Sequence, residues 1–377
     1  MSAWRGSWGG WRAARSHTRD RRVLVPGIGL FRAERNRAIS GTRDAAFSLV
    51  RRVRSAGEDF THPSGSVLRI AEVPYEHMFD DRSLMSSRET AAVLALMARR
   101  AMPPRRLAGA IEEEGSALRL LEQFDASSAD RLFDIDRRPV TLDQLEEHVH
   151  AWEREGFGVV TVLDDDYPAN LRTVYDRPPA LFVRGRLQEH DERSVALVGT
   201  RSASPEGLEK AREIARELVA AEYVVVSGLA AGIDTAAHTA ALEAGGRTVA
   251  VIGTGLRHSF PRANARLQEQ IGREHAVISQ FWPGQEGRRW TFPQRNAVMS
   301  GFSRATVVVE ASHTSGARMQ ARLAREHGRP VFLLRALLEH RWAQTQAQRA
   351  GSYVVDSGAE IIGHLDRLYA EQLTLIA

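Results

Sequence analysis

From residue 195 onward the chain alternates short apolar runs with longer amphipathic ones. Val195–Val198 is continuously apolar and ends in Gly199-Thr200-Arg201, and Ser204-Pro205-Glu206-Gly207 then has the composition of a helix start. Over Pro205–Ala221 the positions Leu208, Ala211, Ile214, Ala215 and Leu218 share one helical face. Val224–Val226 reads as the next strand, closed by Ser227-Gly228. Ile233-Asp234 opens a helix that carries Ala237, His238, Ala241 and Leu242 to Gly245-Gly246. A strand over Thr248–Ile252 ends in Gly253-Thr254-Gly255, a helix covers Pro261–Arg273, and Ala276–Ser279 is a strand. Thr306–Val309 ends at Glu310, a helix runs from Ser315 to Gly328, and Val331–Leu334 and Tyr353–Val355 complete the series. Strands whose interiors are unbroken Val, Ile and Leu need cover on both faces. The pattern therefore predicts an α/β fold, a doubly wound, Rossmann-like, mostly parallel sheet. Such sheets bind ligands beyond the carboxyl ends of their strands.

The chain before residue 195 follows a different pattern. Ser87-Arg88-Glu89-Thr90 reads as a helix start leading into Ala92, Leu94, Leu96 and Met97, with Pro103-Pro104 as its stop. Further helical segments centre on Leu107–Ile111, Ala117–Phe124 and Leu142–Glu153. Gly156–Leu163 is strand-like, Asp164-Asp165-Asp166 reads as a solvated turn rather than a metal site, and Pro178–Gly185 is an apolar strand entering the main domain. Residues 1–80, with Trp4, Trp8 and Trp11 scattered among Gly, Ser and Arg, hold no sustained period. The expected division is a disordered N-terminal extension over 1–80 and a small helical, SAM-like module over 81–154. A Rossmann-like domain follows over 155–358, then a C-terminal helix over 359–377.

Composition narrows the classes only slightly. The 377 residues are 43% hydrophobic and 26% charged, ordinary for a globular protein. With no cysteine the chain forms neither disulfides nor thiolate metal sites. No apolar run approaches the ~20 residues of a membrane helix. Arg21-Arg22 before Val23-Leu24-Val25 has the form of a twin-arginine export signal, but Pro26 and Arg32 cut its apolar region short, so a cytoplasmic protein is expected. The net charge of +4 suggests nucleic acid until its distribution is seen. Residues 1–54 hold thirteen arginines against three acids, which leaves residues 55–377 at a net −6. Any polyanion surface in the folded part is therefore a local patch.

Loops that place small residues where a helix begins leave backbone N–H groups beside the positive end of the helix dipole, which suits a phosphate. The dinucleotide fingerprint is absent, since Gly199-Thr200-Arg201 is not G-x-G-x-x-G; Lys210, the sole lysine, sits mid-helix and makes no P-loop, and there is no nucleophile elbow. Taken singly, the glycine loops point no further than a nucleotide or phosphate.

The combination is more specific. In order come Val198-Gly199-Thr200-Arg201, Ser227-Gly228-Leu229-Ala230-Ala231-Gly232-Ile233-Asp234-Thr235-Ala236-Ala237-His238, Phe292-Pro293-Gln294-Arg295-Asn296, and Glu310-Ala311 followed by Thr314-Ser315-Gly316. Together they resemble the DNA-processing protein A (DprA/Smf) family from about Tyr167 to Gly351. The resemblance implies a homodimer that binds single-stranded DNA and passes it to a RecA-type recombinase during natural transformation, with no catalytic residue, cofactor, metal or membrane partner. It also implies that Gly199, Thr200, Arg201, Ser227, Gly228, Arg295, Asn296, Ser315, Gly316 and Arg318 hold strand phosphates. Arg201 and Arg295 have the fork for phosphate oxygens, and Ser227, Ser315 and the adjacent N–H groups would form anion nests. Trp282, Trp290 and Phe292 are candidates to stack bases, with packing on the domain an equal reading for Phe292.

Asp234 is expected to cap its helix with His238 packed beneath the loop, in preference to a catalytic dyad, and Glu310 to orient the Thr314-Ser315-Gly316 loop. The chain departs from the family pattern at Ala231 and Ala297, where arginine is usual, and at Gln280, Gln320 and Arg335. Arg304 or Arg318 would replace the lost cations. Two other readings stand: a nucleotide sensor or N-glycosidic nucleotide hydrolase in the same pocket with Glu310 as its carboxylate, and a purely structural dimer module.

Overall fold

The structure, a computed structural model, describes residues 23–25, 28–31, 80–99, 102–127, 141–312 and 315–376. Two units divide the chain, Met1–Tyr75 and Glu76–Ala377. In the first, Val23–Val25 (β1) pairs antiparallel with Ile28–Phe31 (β2). The remainder of the expected disordered extension, including Arg21-Arg22 and the three tryptophans, lies outside the described residues.

The second unit begins with four helices, Asp80–Arg99 (α1), Pro104–Glu114 (α2), Ala117–Ser127 (α3) and Leu142–Arg154 (α4). The first starts seven residues before the predicted helix start. Ser87 and Glu89 therefore lie within the helix and cross-link it to its neighbours. Ser87 Oγ donates to Glu146 on α4 at 2.7 Å, and the Glu89 carboxylate accepts from Ser116 Oγ and from the Ala117 and Leu118 N–H groups that start α3. The N-terminus of α4 carries its own capping box, Thr141 with Gln144.

One sheet contains nine strands, which lie side by side in the order Ser352–Val355, Val331–Leu334, Ala305–Val308, Ser194–Val198, Val224–Ser227, Thr248–Val251, Ala276–Ser279, Ala180–Gly185 and Phe157–Thr161. The chain enters at its antiparallel edge. Phe157–Thr161 (β3) is followed by a turn in which Asp164 accepts from the Thr161 N–H and Oγ1, then by the short helix Ala169–Arg172 (α5). Next comes Ala180–Gly185 (β4), antiparallel to both of its neighbours.

The parallel part starts at Ser194–Val198 (β5), buried at every position, and proceeds through Pro205–Ala220 (α6), Val224–Ser227 (β6), Ile233–Glu243 (α7), Thr248–Val251 (β7), Ala265–Glu274 (α8) and Ala276–Ser279 (β8). It then crosses to the other side of β5 through Thr291–Phe302 (α9) and continues with Ala305–Val308 (β9), Gly316–Glu326 (α10), Val331–Leu334 (β10), Arg341–Ala347 (α11), Ser352–Val355 (β11) and Gly358–Ile376 (α12). Winding outward from β5 in both directions places a switch point between β5 and β9. The crevice beyond their carboxyl ends is where such sheets accept ligands.

Helix α9 was not legible in the hydrophobic pattern. It is buried on nearly all sides and so lacks an apolar stripe, and Pro293 sits within its first turn, where no intrahelical N–H is needed. It carries Arg295 and Asn296 into the interior.

Candidate phosphate-binding site

Beyond the carboxyl ends of β5 and β9 lies a cavity of about 580 Å³. Its walls come from the loop after β5 (Gly199, Thr200, Arg201), the loop after β6 and the start of α7 (Ala230, Asp234), the first turns of α9 (Phe292, Arg295, Asn296), and the loop entering α10 with the start of that helix (Ser312, Ser315, Gly316). Four separate motifs thus meet in one basin. Gly199 has to be glycine, because a Cβ there would stand 2.3 Å from Ile233 Cγ1 and 2.8 Å from the Glu310 carbonyl. The close approach lets the Thr200 N–H donate to the Glu310 carbonyl at 2.7 Å and locks the β5 loop to the β9 loop.

Arg201 is the exposed cation of the basin, its guanidinium 5.3 Å from the Phe292 ring centre and 5.8 Å from that of Phe260. Ser315 is the N-cap of α10, its Oγ accepting from the Ala317 N–H, so the dipole's positive end and Gly316 border the cavity. Asn296 Oδ1 accepts from Arg295 Nε at 2.9 Å, leaving the amide nitrogen side toward Gly316. Beneath it Gln320 is buried, with its amide oriented to donate to the Asn296 carbonyl at 3.0 Å and accept from the Ser300 N–H at 3.3 Å. Replacing the family's usual residue at 320 therefore leaves a polar tie below the floor.

Other predicted positions behave differently. Arg295 lines the cavity but is only 6% exposed, and its Nη1 donates to the carbonyls of Gly228 and Val251. It staples the ends of β6 and β7 more than it offers a fork; burial lowers its pKa against the pull of Asp234. Ser227 is fully buried and donates to the Leu197 carbonyl at 2.6 Å, tying β6 to β5. Gly228 is pressed under Arg295, where a Cβ would stand 2.0 Å from Nη1. Neither Ser227 nor Gly228 lines the basin.

The anion in their loop is internal. Asp234 Oδ2 accepts from the N–H groups of Gly228 at 3.2 Å and Ala230 at 3.3 Å. Instead of capping its own helix, Asp234 fills the nest ahead of it, and burial pushes its carboxyl upward against the opposing pull of Arg295 and the loop amides. His238 is fully buried with Nδ1 2.7 Å from Thr248 Oγ1 and its pKa pushed down to about 3 by desolvation, so it stays neutral as a packing group.

The Glu310 carboxylate accepts from the Ser204 N–H and from Ser204 Oγ at 2.7 Å, securing the start of α6, while Thr314, at the head of the loop it was expected to orient, lies outside the described residues. Arg318 is exposed with its guanidinium 5.6 Å from the Trp342 ring centre and is not part of the cavity wall. Arg304 lies at the other end of the sheet, where its N–H donates to the Ser194 carbonyl at the start of β5, so it cannot stand in for a cation at this rim. Trp282 packs on Trp152 and Phe182 and is not placed to stack a base; Trp290 is 52% exposed against the edge of Phe281. Phe292 does line the cavity. Phe260, which motif reading passed over, is 49% exposed beside it, with ring centres 5.2 Å apart. Its only signal in the sequence is an aromatic residue in the polar stretch before Pro261.

Ser300, His327 and Asp176 lie next to one another, with Ser300 Oγ 2.7 Å from His327 Nδ1 and His327 Nε2 2.8 Å from Asp176 Oδ1. Ser300 is fully buried, so the array ties α9 to the end of α10 and presents no nucleophile. Among the described residues no cluster of His, Asp or Glu fits a metal ion, and no helix is long and apolar enough to cross a membrane.

A family model described as DNA recombination-mediator protein A matches residues 158–372. The chain is 42% identical over 191 residues to DNA processing protein DprA of Streptococcus pneumoniae, covering 51% of this chain and 67% of that protein. It is 34% identical over 183 residues to DprA of Bacillus subtilis, covering 48% and 62%, and 40% identical over 194 residues to protein Smf of Synechocystis, covering 50% and 48%. The matches thus span between about half and two thirds of these relatives. Among solved structures, DNA processing protein A of S. pneumoniae superposes with a TM-score of 0.57 at 33% identity, over 73% of this chain and 97% of that one. DNA processing protein A from Helicobacter pylori shares the fold with a TM-score of 0.50 at 23% identity, over 56% and 96%.

Proposed function

The chain belongs to the DNA recombination-mediator protein A family, and from that premise we propose that it is a single-stranded DNA-binding protein of the DNA-processing type. In this reading it protects incoming strands and loads a RecA-type recombinase during natural transformation and recombination, acting as a homodimer and catalysing no reaction. The observation that carries the reading is the convergence of Arg201, Asn296 and the Ser315-Gly316 helix start on one cavity at the switch point. An exposed guanidinium supplies charge for a phosphate, the helix start supplies N–H groups and dipole, and Phe260 with Phe292 supply apolar faces beside the cation. Contacts of this type grip a strand by its backbone and its stacking faces, without reading sequence. The H. pylori structure is described for the single-stranded DNA binding mode of that protein, which agrees in kind.

The hydrolase reading loses support from the site itself. Glu310 is engaged by Ser204 on two donors and anchors a loop, a poor position for a general base. The deciding experiment is the affinity of the full chain for a short single-stranded oligonucleotide at two salt concentrations. Binding that weakens steeply with salt, and weakens in Arg201→Ala for every sequence alike, is the expected result. Affinity unchanged by Arg201→Ala, or nucleotide turnover dependent on Glu310, would remove the proposal. Loss of recombinase filament formation on protein-coated strands, tested separately, bears on the loading step alone.

A further inference from the structure

Three large hydrophobic side chains stand exposed among the described residues: Tyr175, Phe260 and Trp290. Tyr175 lies edge-on to His327, but Phe260 and Trp290 belong to successive loops at the carboxyl rim. Phe260 is in the loop after β7, and Trp290 meets Phe281, two residues past the end of β8, with ring centres 5.9 Å apart and planes at 76°. Outward from the Arg201 basin the strands run β5, β6, β7 and β8, so the two aromatics continue one line along the rim. At the ordinary strand spacing the line from β5 to β8 is about 14 Å long.

The turn that carries Trp290 is held in place. Thr291 is fully buried; its Oγ1 donates to the Arg288 carbonyl at 2.9 Å and accepts from the Arg288 N–H at 3.1 Å, and its own N–H donates to that carbonyl at 3.0 Å. Gly287 lies against the tip of Phe292, where a Cβ would come 3.3 Å from Cζ, so the turn abuts a side chain of the basin wall. Trp290 is two residues from Phe292, which keeps their Cα atoms within about 7 Å. Arg288 and Arg289 precede the indole and are exposed with it. Glu286 stands 4.0 Å from Arg288 with both side chains more than half exposed, and a surface pair of that kind is weak enough to yield to a phosphate.

An indole fixed in water by a tight turn recovers the cost of its exposure only when a flat apolar group covers it. A nucleotide supplies that group, and its phosphate suits the two guanidinium groups beside it. We propose that a strand gripped at Arg201 continues along the rim toward β8 and stacks a base on Trp290, its phosphates drawn by Arg288 and Arg289. The inference rests on the reading of the basin as a single-stranded DNA site and adds to it the path of the strand and a second point of contact. At the 3.4 Å spacing of stacked nucleotides the line takes about four of them.

Anisotropy titrations of the full chain with a labelled oligothymidylate of about twelve nucleotides, and with an abasic strand of the same length, test it. Trp290→Ala should weaken binding of the oligothymidylate by about tenfold and leave the abasic strand unaffected, since only the base meets the ring. Trp290→Phe should restore most of the loss, and Arg289→Gln should weaken both strands alike by a few-fold. On the unaltered protein the oligothymidylate, and not the abasic strand, should quench tryptophan fluorescence, with less quenching in Trp290→Phe. Binding that depends on Arg201 but is indifferent to Trp290→Ala overturns the path while the basin reading stands. Equal weakening of both strands in Trp290→Ala makes the indole a mere support of the turn, and dissociation of chain copies with affinity unchanged makes it a protein contact; each refutes the proposal. Binding indifferent to Arg201→Ala removes the basin reading and this inference with it, so the two failures are told apart.

Discussion

Two loop systems at the carboxyl rim carry almost the same small-residue chemistry and end in opposite states. The loop from Ser227 to Asp234 has the richest glycine motif in the chain, yet its amides are taken by the Asp234 carboxylate, its serine by the Leu197 carbonyl and its glycine by the face of Arg295. The loops after β5 and β9 have sparser motifs, and they border the open cavity with Arg201 exposed above it. A nest filled from within rigidifies the rim, and only a nest left open serves a ligand. The difference assigns stability chiefly to the loop after β6, of which Ala230 and Asp234 still reach the cavity wall, and binding to the loops after β5 and β9, and that division can be broken experimentally.

The largest expected effect is on the filled loop. Asp234→Ala leaves two N–H groups without their acceptor in a buried site and removes the charge that faces Arg295, at a cost of about 3 kcal/mol in chemical denaturation. If the variant instead keeps its stability and binds anions more tightly, the nest is a ligand site after all and the comparison collapses.

Acid should expose the same interior. The folded pKa of His238 is pushed down to about 3, below the ordinary 6.5 of the unfolded chain. As pH falls below 6.5 the unfolded state takes up the proton first, so stability is fully present above that pH and is lost toward pH 3. The limiting slope is about 1.4 kcal/mol per pH unit. Asp234 opposes this at the acid end, because its raised carboxyl binds a proton more readily folded than unfolded. Urea midpoints measured from pH 7.5 down to 4.5, values set by the experimenter about the ordinary histidine range, should fall in the native chain and flatten in His238→Gln. Equal slopes in both would place the acid sensitivity elsewhere.

How much of this was legible in the residues depended on distance along the chain. The strands were plain, because Val195–Val198, Val224–Val226 and Val331–Leu334 are unbroken apolar runs that only a covered parallel sheet explains. The common basin of Arg201, Asn296 and Ser315 was implied by the family resemblance, not by spacing. Occupancy was hidden. That Arg295 reaches the Gly228 carbonyl across 67 positions, or that Glu310 secures Ser204 across 106, is a fact of the assembled fold that no local pattern encodes. Helix α9 and Phe260 escaped for a related reason: an all-round buried helix has no stripe, and a lone exposed aromatic has no period.

On the open side, Arg201→Ala is expected to weaken single-stranded oligonucleotide binding by about tenfold at low salt and to reduce the salt slope by about 0.7, the value for one phosphate. Its stability should stay within about 0.5 kcal/mol of the native one, since the side chain is exposed and meets Phe260 and Phe292 by their ring faces. A large loss of stability would make Arg201 a structural residue like Arg295 and blur the contrast between the loops.

The smallest and sharpest test sets the two serines against each other. Ser227→Ala removes a buried bond to the Leu197 carbonyl, and Ser315→Ala removes the N-cap bond to Ala317, each worth about 1 kcal/mol. Similar losses of stability are therefore expected, and they carry no information about function. Affinity separates the pair: only Ser315 borders the cavity, so only its replacement should weaken oligonucleotide binding, by a few-fold. If Ser227→Ala weakens binding equally, the filled loop transmits to the site through β5, and the rim works as one cradle in place of two loops with separate duties.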